Sequence, residues 1–278
     1  MRDIALARTF LFVPGDRPDR FGKAAASAAD IVILDLEDAV AADRKHEARE
    51  HVRAWLDQRH EAVVRVNAAD TPWHAGDVDM VAGSPDAIAV MVPKAEDPGR
   101  IESLSRRLPP GTGIIPLIET AVGLLGAPAI CALGPVVRPA FGSVDLAAQL
   151  GVDHNAHRAL HHMRSALVLA AASAGCGAPA DGVTTSLADD SRLHADLEHA
   201  IALGFTAKLC IHPRQVAIAN EHLTPSKADV EWAREVIAVA ERGAVTVRAG
   251  QMIDRPVVLR AQAILARASS TIQEGQAH

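Results

Sequence analysis

The amino-acid sequence predicts an α/β fold in which eight parallel strands close into a barrel. Eight short β-type runs alternate with helical patterns between residues 9 and 213, which is typical of a barrel built from repeated strand and helix units. The apolar side chains are mainly aliphatic, because aromatic residues make up 3% of the chain and hydrophobic residues 49%. Parallel sheets covered by helices have this composition. A doubly wound sheet would more often carry a Gly-rich first turn, so we expect a TIM, or (β/α)8, barrel.

The predicted strands are short, and turn-forming or polar residues bound them. They span residues 9–14, 31–36, 62–67, 87–93, 113–119, 136–142, 179–183 and 207–213. The sixth and seventh have the least regular pattern, since Pro139 and Gly182 interrupt them. Helical patterns cover residues 44–56 and 193–204, and Gly204 stands where a helix C-terminus prefers glycine.

The last part of the chain exceeds what a barrel needs. We assign residues 1–222 to a catalytic barrel domain and residues 223–278 to a C-terminal extension. The extension contains a helical pattern at 229–243, a β-type run at 244–253 and a last helix that begins near Asp254. The sequence therefore predicts a barrel followed by a mainly helical addition.

Charge and cysteine content exclude several classes of protein. A formal net charge of −6 and a pI near 6.1 argue against a chain that neutralises many phosphates, so we expect no nucleic-acid partner. Cys131, Cys176 and Cys210 are an odd number without a CxxC pair, which indicates neither a disulfide framework nor a zinc ribbon. No apolar run is long enough for a signal peptide or a membrane span. We expect a cytoplasmic protein that does not bind membranes.

Polar side chains stand at or just after the ends of most predicted strands. They are Asp35, Glu37, Asp38, Arg65, Asn67, Lys94, Glu119, Ser143, Asp145 and His212. The C-terminal ends of all eight strands of a barrel meet at one face, so these side chains are expected to cluster there.

Glu119 and Asp145 lie one strand–helix unit apart, so their carboxylates are expected at neighbouring positions of this face. Two carboxylates, with the remaining positions left to water and substrate oxygens, are how Mg²⁺ is usually held. The alternative is that each acid caps the helix that follows it. The paired placement favours a metal site.

Arg65 lies inside an apolar strand, where a guanidinium needs an anionic partner. That partner is either a substrate carboxylate or the neighbouring Asp35 in a purely structural pair. The position of Arg65 among strand-end acids favours a substrate.

Two further motifs carry weaker signals. The loop after the first strand concentrates Arg17, Arg20 and Lys23, which could bind a phosphate, although a solvated helix start explains such charges as well. The segment 154–162 holds four histidines but no HExxH pattern, and we interpret it as a solvated helix surface rather than a metal site.

Several long blocks, in order over nearly the whole chain, resemble one known family. The blocks are RTFLFVPGDRPDRFGKAAASAADIVILDLEDAVAADRKHEAR, VVRVNA, VMVPKAED, IPLIETAVGL, FGSVDLAAQLG, DGV, LGFTAKLCIHPRQV and GQMIDRPVVLRA. Together they are similar to the citrate lyase β-subunit and malyl-CoA lyase family of the HpcH/HpaI aldolase superfamily. The match is more specific than any single motif because its blocks are long and mutually spaced.

The resemblance implies a TIM barrel with Mg²⁺ on Glu119 and Asp145 and with Arg65 gripping a 2-oxo acid. It also implies that Phe12, Arg17 and Lys23 hold coenzyme A. In this family the C-terminal extension acts as a lid that packs on a neighbouring subunit of a homotrimer or hexamer.

Asp254 matches the acid that such a lid inserts into the adjacent active site. It could also cap the last helix, and the two roles can coexist.

The expected reaction is a reversible Claisen-type cleavage of a 3-hydroxyacyl-CoA to acetyl-CoA, or a close relative, and a 2-oxo acid. Arg65 would stabilise developing negative charge, and Asp254 would move a proton at the acetyl carbon. Asp35 and Glu37 would orient Arg65 and the metal-bound waters, while Asp38 would cap the next helix.

Other activities stay open from sequence. They are a thioesterase of the malyl-CoA type, a citrate lyase β-subunit acting on an acyl-carrier thioester, a non-catalytic acyl-CoA-binding protein and an aldolase that does not use CoA.

Overall fold

Eight parallel strands form a closed barrel in chain order, which confirms the predicted (β/α)8 architecture. The structure is a computed structural model and describes residues 3–241, 246–248 and 251–275. The strands are β1 (Thr9–Pro14), β2 (Ile31–Asp35), β3 (Ala62–Arg65), β4 (Ala87–Val92), β5 (Gly113–Ile118), β6 (Ala140–Phe141), β7 (Ala180–Asp181) and β8 (Ala207–Cys210). Strand β1 pairs with both β2 and β8, so the sheet has no free edge.

Helices follow the strands and surround the barrel. They are α1 (Phe21–Ala25), α2 (Lys45–Asp57), α3 (His74–Ala82), α4 (Pro98–Ser105), α5 (Ala121–Cys131), α6 (Ser143–Leu150), α7 (His157–Ala174), α8 (Asp190–Leu203), α9 (Pro213–Leu223), α10 (Lys227–Ala240) and α11 (Arg255–Gly275). Short 3-10 helices precede α1 and α2. Gly204 ends α8 in a left-handed conformation with φ of 103°, as the sequence predicts. Among the described residues, no helix has the length and apolar character needed to cross a membrane.

Alternate residues of each strand fill the barrel interior. On β2 these are Ile31 and Ile33, and on β5 they are Ile115 and Leu117, all buried in one apolar cluster. The same alternation places Asp35 next along β2, at the C-terminal end of the strand. The apolar core of the barrel therefore gives way to charged side chains at the C-terminal end of its interior.

Strands β6 and β7 are only two residues long, in keeping with the interruptions seen in the sequence. A Cβ atom at Gly182 would lie 2.4 Å from Ser143 Oγ and 2.8 Å from the Phe141 carbonyl oxygen. Glycine is required there because the chain after β7 passes directly against the chain after β6. The break in the sequence pattern thus marks close backbone packing rather than the loss of a strand.

The chain divides into two compact units, Met1–Asn220 and Glu221–His278. The first contains the barrel. The second contains α10, α11 and a two-stranded antiparallel hairpin of β9 (Thr246–Arg248) and β10 (Gln251–Ile253). It has its own small apolar core, whose buried members are Ala233, Val236, Ile253, Ala261 and Ile264.

A buried ion-pair network ties the barrel wall to the helical layer. The Asp181 carboxylate of β7 accepts hydrogen bonds from Arg164 Nε of α7 at 2.8 Å and from Lys208 Nζ of β8 at 2.7 Å. The side chains of Asp181 and Lys208 are each 1% exposed. Burial alone would raise the pKa of Asp181, but Lys208 and Arg164 outweigh it and lower the pKa. The carboxylate therefore stays charged and holds two buried cations in place.

Removal of this carboxylate should destabilise the protein strongly. We expect Asp181→Asn to lower the free energy of unfolding by about 3–5 kcal/mol, because two buried cations lose their counter-charge. Urea unfolding followed by circular dichroism would measure the change. Asp79→Asn, which removes an exposed partner of Arg107, is the matched control and should have little effect. Equal stability of the two variants would contradict this role of Asp181.

Candidate active site

The C-terminal face of the barrel carries a buried guanidinium held by two acids. Asp35 and Arg65 are register partners on β2 and β3. Arg65 Nε donates to Asp35 Oδ1 at 2.7 Å and Arg65 Nη2 donates to Asp35 Oδ2 at 2.5 Å. Arg65 Nη1 lies 3.1 Å from Glu37 Oε2. This two-point contact with Asp35 fixes the plane of the guanidinium.

The Phe12 ring covers one face of this guanidinium, whose central carbon lies 4.8 Å from the ring centroid. The Arg65 side chain is 11% exposed. Burial works to lower its pKa, but the Asp35 and Glu37 carboxylates outweigh burial and keep the pKa raised. The structural pair considered from sequence is thus present, and it fixes a permanent positive charge at the barrel mouth.

Asp35 also shapes the turn that carries Glu37. Its two carboxylate oxygens accept the backbone N–H groups of Glu37 at 2.8 Å and Ala39 at 3.3 Å. Buried Lys45 of α2 donates to the carbonyl oxygens of Leu36 and Glu37 at 2.8 and 2.7 Å. The turn is therefore fixed from both sides.

The prediction that Asp38 caps the next helix is wrong. Helix α2 begins seven residues later, at Lys45, and no side chain caps it. Asp38 is exposed, and its carboxylate lies 3.9 Å from Arg65 Nη1. Within the intervening turn it is the Asp35 carboxylate, not that of Asp38, that accepts backbone N–H groups.

Glu37 links two cations. Its Oε1 accepts a hydrogen bond from Lys94 Nζ at 2.9 Å, and its Oε2 faces Arg65 without an aligned hydrogen bond. Burial raises the pKa of Glu37, although Arg65 and Lys94 oppose that rise. Sequence analysis placed Lys94 at a strand end but assigned it no role, and its basic side chain directly after Pro93 is the only signal that sequence offers.

Glu119 follows β5 and is 4% exposed. Its Oε1 accepts the backbone N–H of Lys94 at 2.8 Å, whereas no described residue donates a hydrogen bond to Oε2. A Cβ atom at Gly142 would lie 2.2 Å from Glu119 Cβ and 2.7 Å from Oε2, so only glycine fits beside this carboxylate. Burial raises the pKa of Glu119 to about 8, and the nearby charges of Glu37 and Asp145 add to the rise.

Asp145 lies in the first turn of α6, half-buried, and its carboxylate makes no hydrogen bond or ion pair with another described residue. Its negative charge adds to the rise in the pKa of Glu119, and the shared metal site of the two carboxylates stays a prediction. The alternative that these acids are helix caps is wrong. Thr120 Oγ1 caps α5 by accepting the Gly123 N–H at 3.0 Å, and α6 starts after Gly142 without a side-chain cap.

The donor set fits a hard divalent cation. Glu119 Oε2 and the Asp145 carboxylate are the oxygen atoms that the surrounding residues leave unused, and oxygen ligands are those that Mg²⁺ prefers. Within the described part of the chain, no group of three or more His, Cys, Asp or Glu side chains is arranged to hold a metal ion. The protein would thus supply two carboxylates and leave the other positions to water or substrate.

Two residues predicted to hold coenzyme A lie at the surface near the start of α1. Arg17 forms an exposed ion pair with Asp19 at 2.9 Å, and Lys23 is exposed. Neither side chain contacts the charged groups at the barrel mouth, which are Asp35, Glu37, Arg65 and Lys94. Their role in binding coenzyme A stays a prediction.

Asp254 lies in the second unit. Its Oδ1 accepts the Val257 N–H at 3.3 Å at the start of α11, which is the capping role considered from sequence. Its catalytic role stays a prediction.

The histidines of 154–162 are not simply a solvated helix surface. His154 precedes α7, and His157 is half-buried, with Nε2 2.6 Å from Asp196 Oδ1. The His157 ring also stacks on His199 of α8 with centroids 4.4 Å apart. The interpretation as solvated was wrong for His157 because its partners come from a distant segment.

A (β/α)8 barrel that joins two unused carboxylates to a fixed arginine at its C-terminal face is typical of enzymes that use a divalent cation on oxygen-rich substrates. Residues 8–213 match the family HpcH/HpaI aldolase/citrate lyase, and the chain belongs to this family. The resemblance seen in the sequence is confirmed.

Individual relatives cover nearly the whole chain. A citrate lyase subunit beta-like protein of Mycobacterium tuberculosis is 39% identical over 273 residues, which are 95% of this chain and 97% of the relative. A (3S)-malyl-CoA thioesterase of Cereibacter sphaeroides is 35% identical over 272 residues, which are 95% of each chain.

A crystal structure of a relative carries the ligands expected here. It is the protein CitE from Mycobacterium tuberculosis in complex with magnesium, acetoacetate and coenzyme A. It superposes with a TM-score of 0.79 at 36% identity and covers 96% of this chain and 100% of that chain. Magnesium and coenzyme A are thus ligands within the family.

The raised pKa of Glu119 has a measurable effect on stability. Below pH 4.5, its ordinary pKa, the carboxyl group is protonated in both the folded and the unfolded chain. As pH rises from there to about 8, the unfolded chain releases the proton and the folded chain keeps it, so the folded state loses stability. Glu119→Gln removes this loss. In a chelator, the melting temperature of the variant relative to wild type should therefore increase between pH 5 and pH 8.

Glu96→Gln, a change at an exposed acid two residues after Lys94, is the control for this comparison. If the difference for Glu119→Gln changed with pH no more than that for Glu96→Gln, Glu119 would not keep its proton in the folded protein.

Proposed function

We propose that this protein is a Mg²⁺-dependent carbon–carbon lyase. It reversibly cleaves a 3-hydroxyacyl-CoA of the malyl-, citramalyl- or citryl-CoA type to acetyl-CoA, or a close acyl-CoA, and a 2-oxo acid. The observation that carries the proposal is the pair of unused carboxylates, Glu119 and Asp145, beside a guanidinium that Asp35 holds at two points.

Mg²⁺ on Glu119 and Asp145 would supply a Lewis acid for substrate oxygens. Arg65 supplies a second positive charge that cannot be lost, because its pKa is raised by Asp35 and Glu37. Negative charge that develops as the C–C bond breaks is stabilised by this fixed guanidinium. Since Asp35 holds Arg65 before substrate arrives, little reorganisation is needed during the reaction.

A general acid must complete the cleavage. The 3-hydroxyl group gives up its proton to solvent as its oxygen becomes the carbonyl oxygen of the 2-oxo acid. The electron pair of the breaking C–C bond passes to the carbon next to the thioester, and that carbon takes a proton. We assign this proton transfer to Asp254, which in the reverse direction removes a proton from the acetyl methyl group. Residues 223–278 then act as a lid that brings Asp254 of one subunit to the site of its neighbour in a homotrimer or hexamer.

Phe12, Arg17 and Lys23 are assigned to coenzyme A. Phe12 packs on the guanidinium of Arg65, so a ligand that contacts this ring lies next to the reacting end of the site. Arg17 and Lys23 are exposed cations suited to phosphate groups, and Arg17 would exchange Asp19 for a phosphate on binding.

A thioesterase is the second candidate, because a relative at 35% identity has the name (3S)-malyl-CoA thioesterase. It would use the same binding residues, but water would attack the thioester carbonyl and release free coenzyme A. The two reactions differ in every product.

Product analysis separates these candidates. Purified protein is incubated with Mg²⁺ and malyl-, citramalyl- or citryl-CoA, and the products are identified by mass spectrometry. A lyase gives acetyl-CoA and a 2-oxo acid, whereas a thioesterase gives free coenzyme A and a hydroxy acid. Free coenzyme A as the first product would contradict the lyase proposal. If none of the three thioesters were converted, only a binding function would be left.

Asp145→Asn should lower the Mg²⁺-dependent kcat/KM by about 100-fold or more, because a neutral amide is a poor ligand for Mg²⁺ and a charged donor is lost. The exposed Asp153→Asn, eight residues further along the chain, is the matched control and should keep wild-type activity. Circular dichroism would confirm that both variants fold. Full activity of Asp145→Asn would exclude Asp145 from the metal site.

A further inference from the structure

Lys94 has a backbone conformation that residues other than glycine rarely adopt. Its φ is +46°, and among the described non-glycine residues only Arg59, with φ of +68°, shares a positive value. A left-handed conformation is disfavoured for L residues because Cβ approaches the backbone, and it persists where the surrounding structure requires it. Lys94 directly follows Pro93 at the C-terminal end of β4.

In this conformation one residue contacts two acids of the site. The backbone N–H of Lys94 donates to Glu119 Oε1 at 2.8 Å, while its Nζ donates to Glu37 Oε1 at 2.9 Å. The side-chain hydrogen bond is made to Glu37, which lies beside Arg65. The backbone hydrogen bond is made to Glu119, which is proposed to hold the cation.

The backbone bond also decides which way the Glu119 carboxylate is turned. Oε1 is tied to the β4 side by Lys94, and Oε2 faces Gly142 on the β6 side, where an added Cβ would be 2.7 Å away. Asp145 lies three residues after Gly142, in the first turn of α6. The free oxygen of Glu119 therefore points toward the side from which Asp145 approaches.

We infer that Lys94 is a positioning residue for the cation site. Its left-handed backbone holds Glu119 Oε1 and thereby leaves Oε2 directed at a divalent cation shared with Asp145. The inference rests on the proposed metal role of Glu119 and Asp145. It assigns the effect to the backbone N–H of Lys94, separately from the ammonium group.

Three variants separate the effect of the Lys94 backbone from that of its ammonium group. Lys94→Met and Lys94→Ile both remove the charge and leave apolar side chains, but the β-branched Ile strongly disfavours a positive φ. Lys94→Gly also removes the charge and adopts a positive φ readily. The three variants therefore differ in how easily the N–H keeps its direction.

The measurement is Mn²⁺ binding to the full chain without substrate, followed by the electron paramagnetic resonance signal of free Mn²⁺. We expect Lys94→Met and Lys94→Gly to bind alike, and Lys94→Ile to bind about tenfold more weakly or worse, as for loss of other groups that orient metal ligands. Recovery of binding in the glycine variant would show that backbone conformation, not side-chain chemistry, is the cause.

Arg59 provides a matched control, because it has a positive φ and is exposed. It lies just before β3, away from the C-terminal strand ends, and pairs with Asp86. Arg59→Ile and Arg59→Met should bind Mn²⁺ equally. If Lys94→Ile does not fold by circular dichroism, the smaller β-branched Lys94→Thr is compared with the similarly small Lys94→Ala instead.

Equal Mn²⁺ affinity of the β-branched variant and its unbranched partner would overturn the inference. Failure of the proposed function looks different. In that case folded wild-type protein would bind no Mn²⁺, or Glu119→Gln would bind it as wild type does.

Discussion

The ion pairs that Arg65 forms with Asp35 and Glu37 determine which charged groups at the C-terminal end of the barrel have a partner. Arg65 lies at the mouth of an apolar barrel, where an unpaired guanidinium would be costly. Asp35 and Glu37 supply two negative charges, and Lys94 supplies a second positive charge. These four groups are linked by ion pairs, and the Asp38 carboxylate lies a further 3.9 Å from Arg65 Nη1. Glu119 and Asp145 form no ion pair with any described residue.

The lack of an ion-pair partner among the described residues bears on both the pKa of Glu119 and its ability to bind a cation. Burial raises the pKa of Glu119 to about 8, and the charges of Glu37 and Asp145 add to the rise, so without a cation the carboxyl group keeps its proton at neutral pH. With a divalent cation, as we propose, the two carboxylates would be its ligands and their negative charges would be matched. The same acids would be a poor choice for a purely structural role, because helix α5 is already capped by Thr120.

Strand positions and charged strand ends could be read from the sequence, because periodicity and strand polarity are local properties. The cap of α5 could also have been found, since Thr120 is a better cap than the Glu119 that was considered. The left-handed backbone of Lys94 could not, because no sequence rule places a lysine there. The contact between His157 and His199 depends on packing between distant helices. Similarly, only the structure shows that Gly142 makes room for Glu119.

We propose that the unused oxygens of Glu119 and Asp145 share one divalent cation next to the guanidinium that Asp35 holds. A crystal structure with Mg²⁺ and a 2-oxo acid such as pyruvate tests it most directly. We expect one cation in contact with both carboxylates and with the oxo acid, with Arg65 still paired to Asp35. A cation bound elsewhere, or carboxylates of Glu119 and Asp145 that do not reach a common atom, would contradict it.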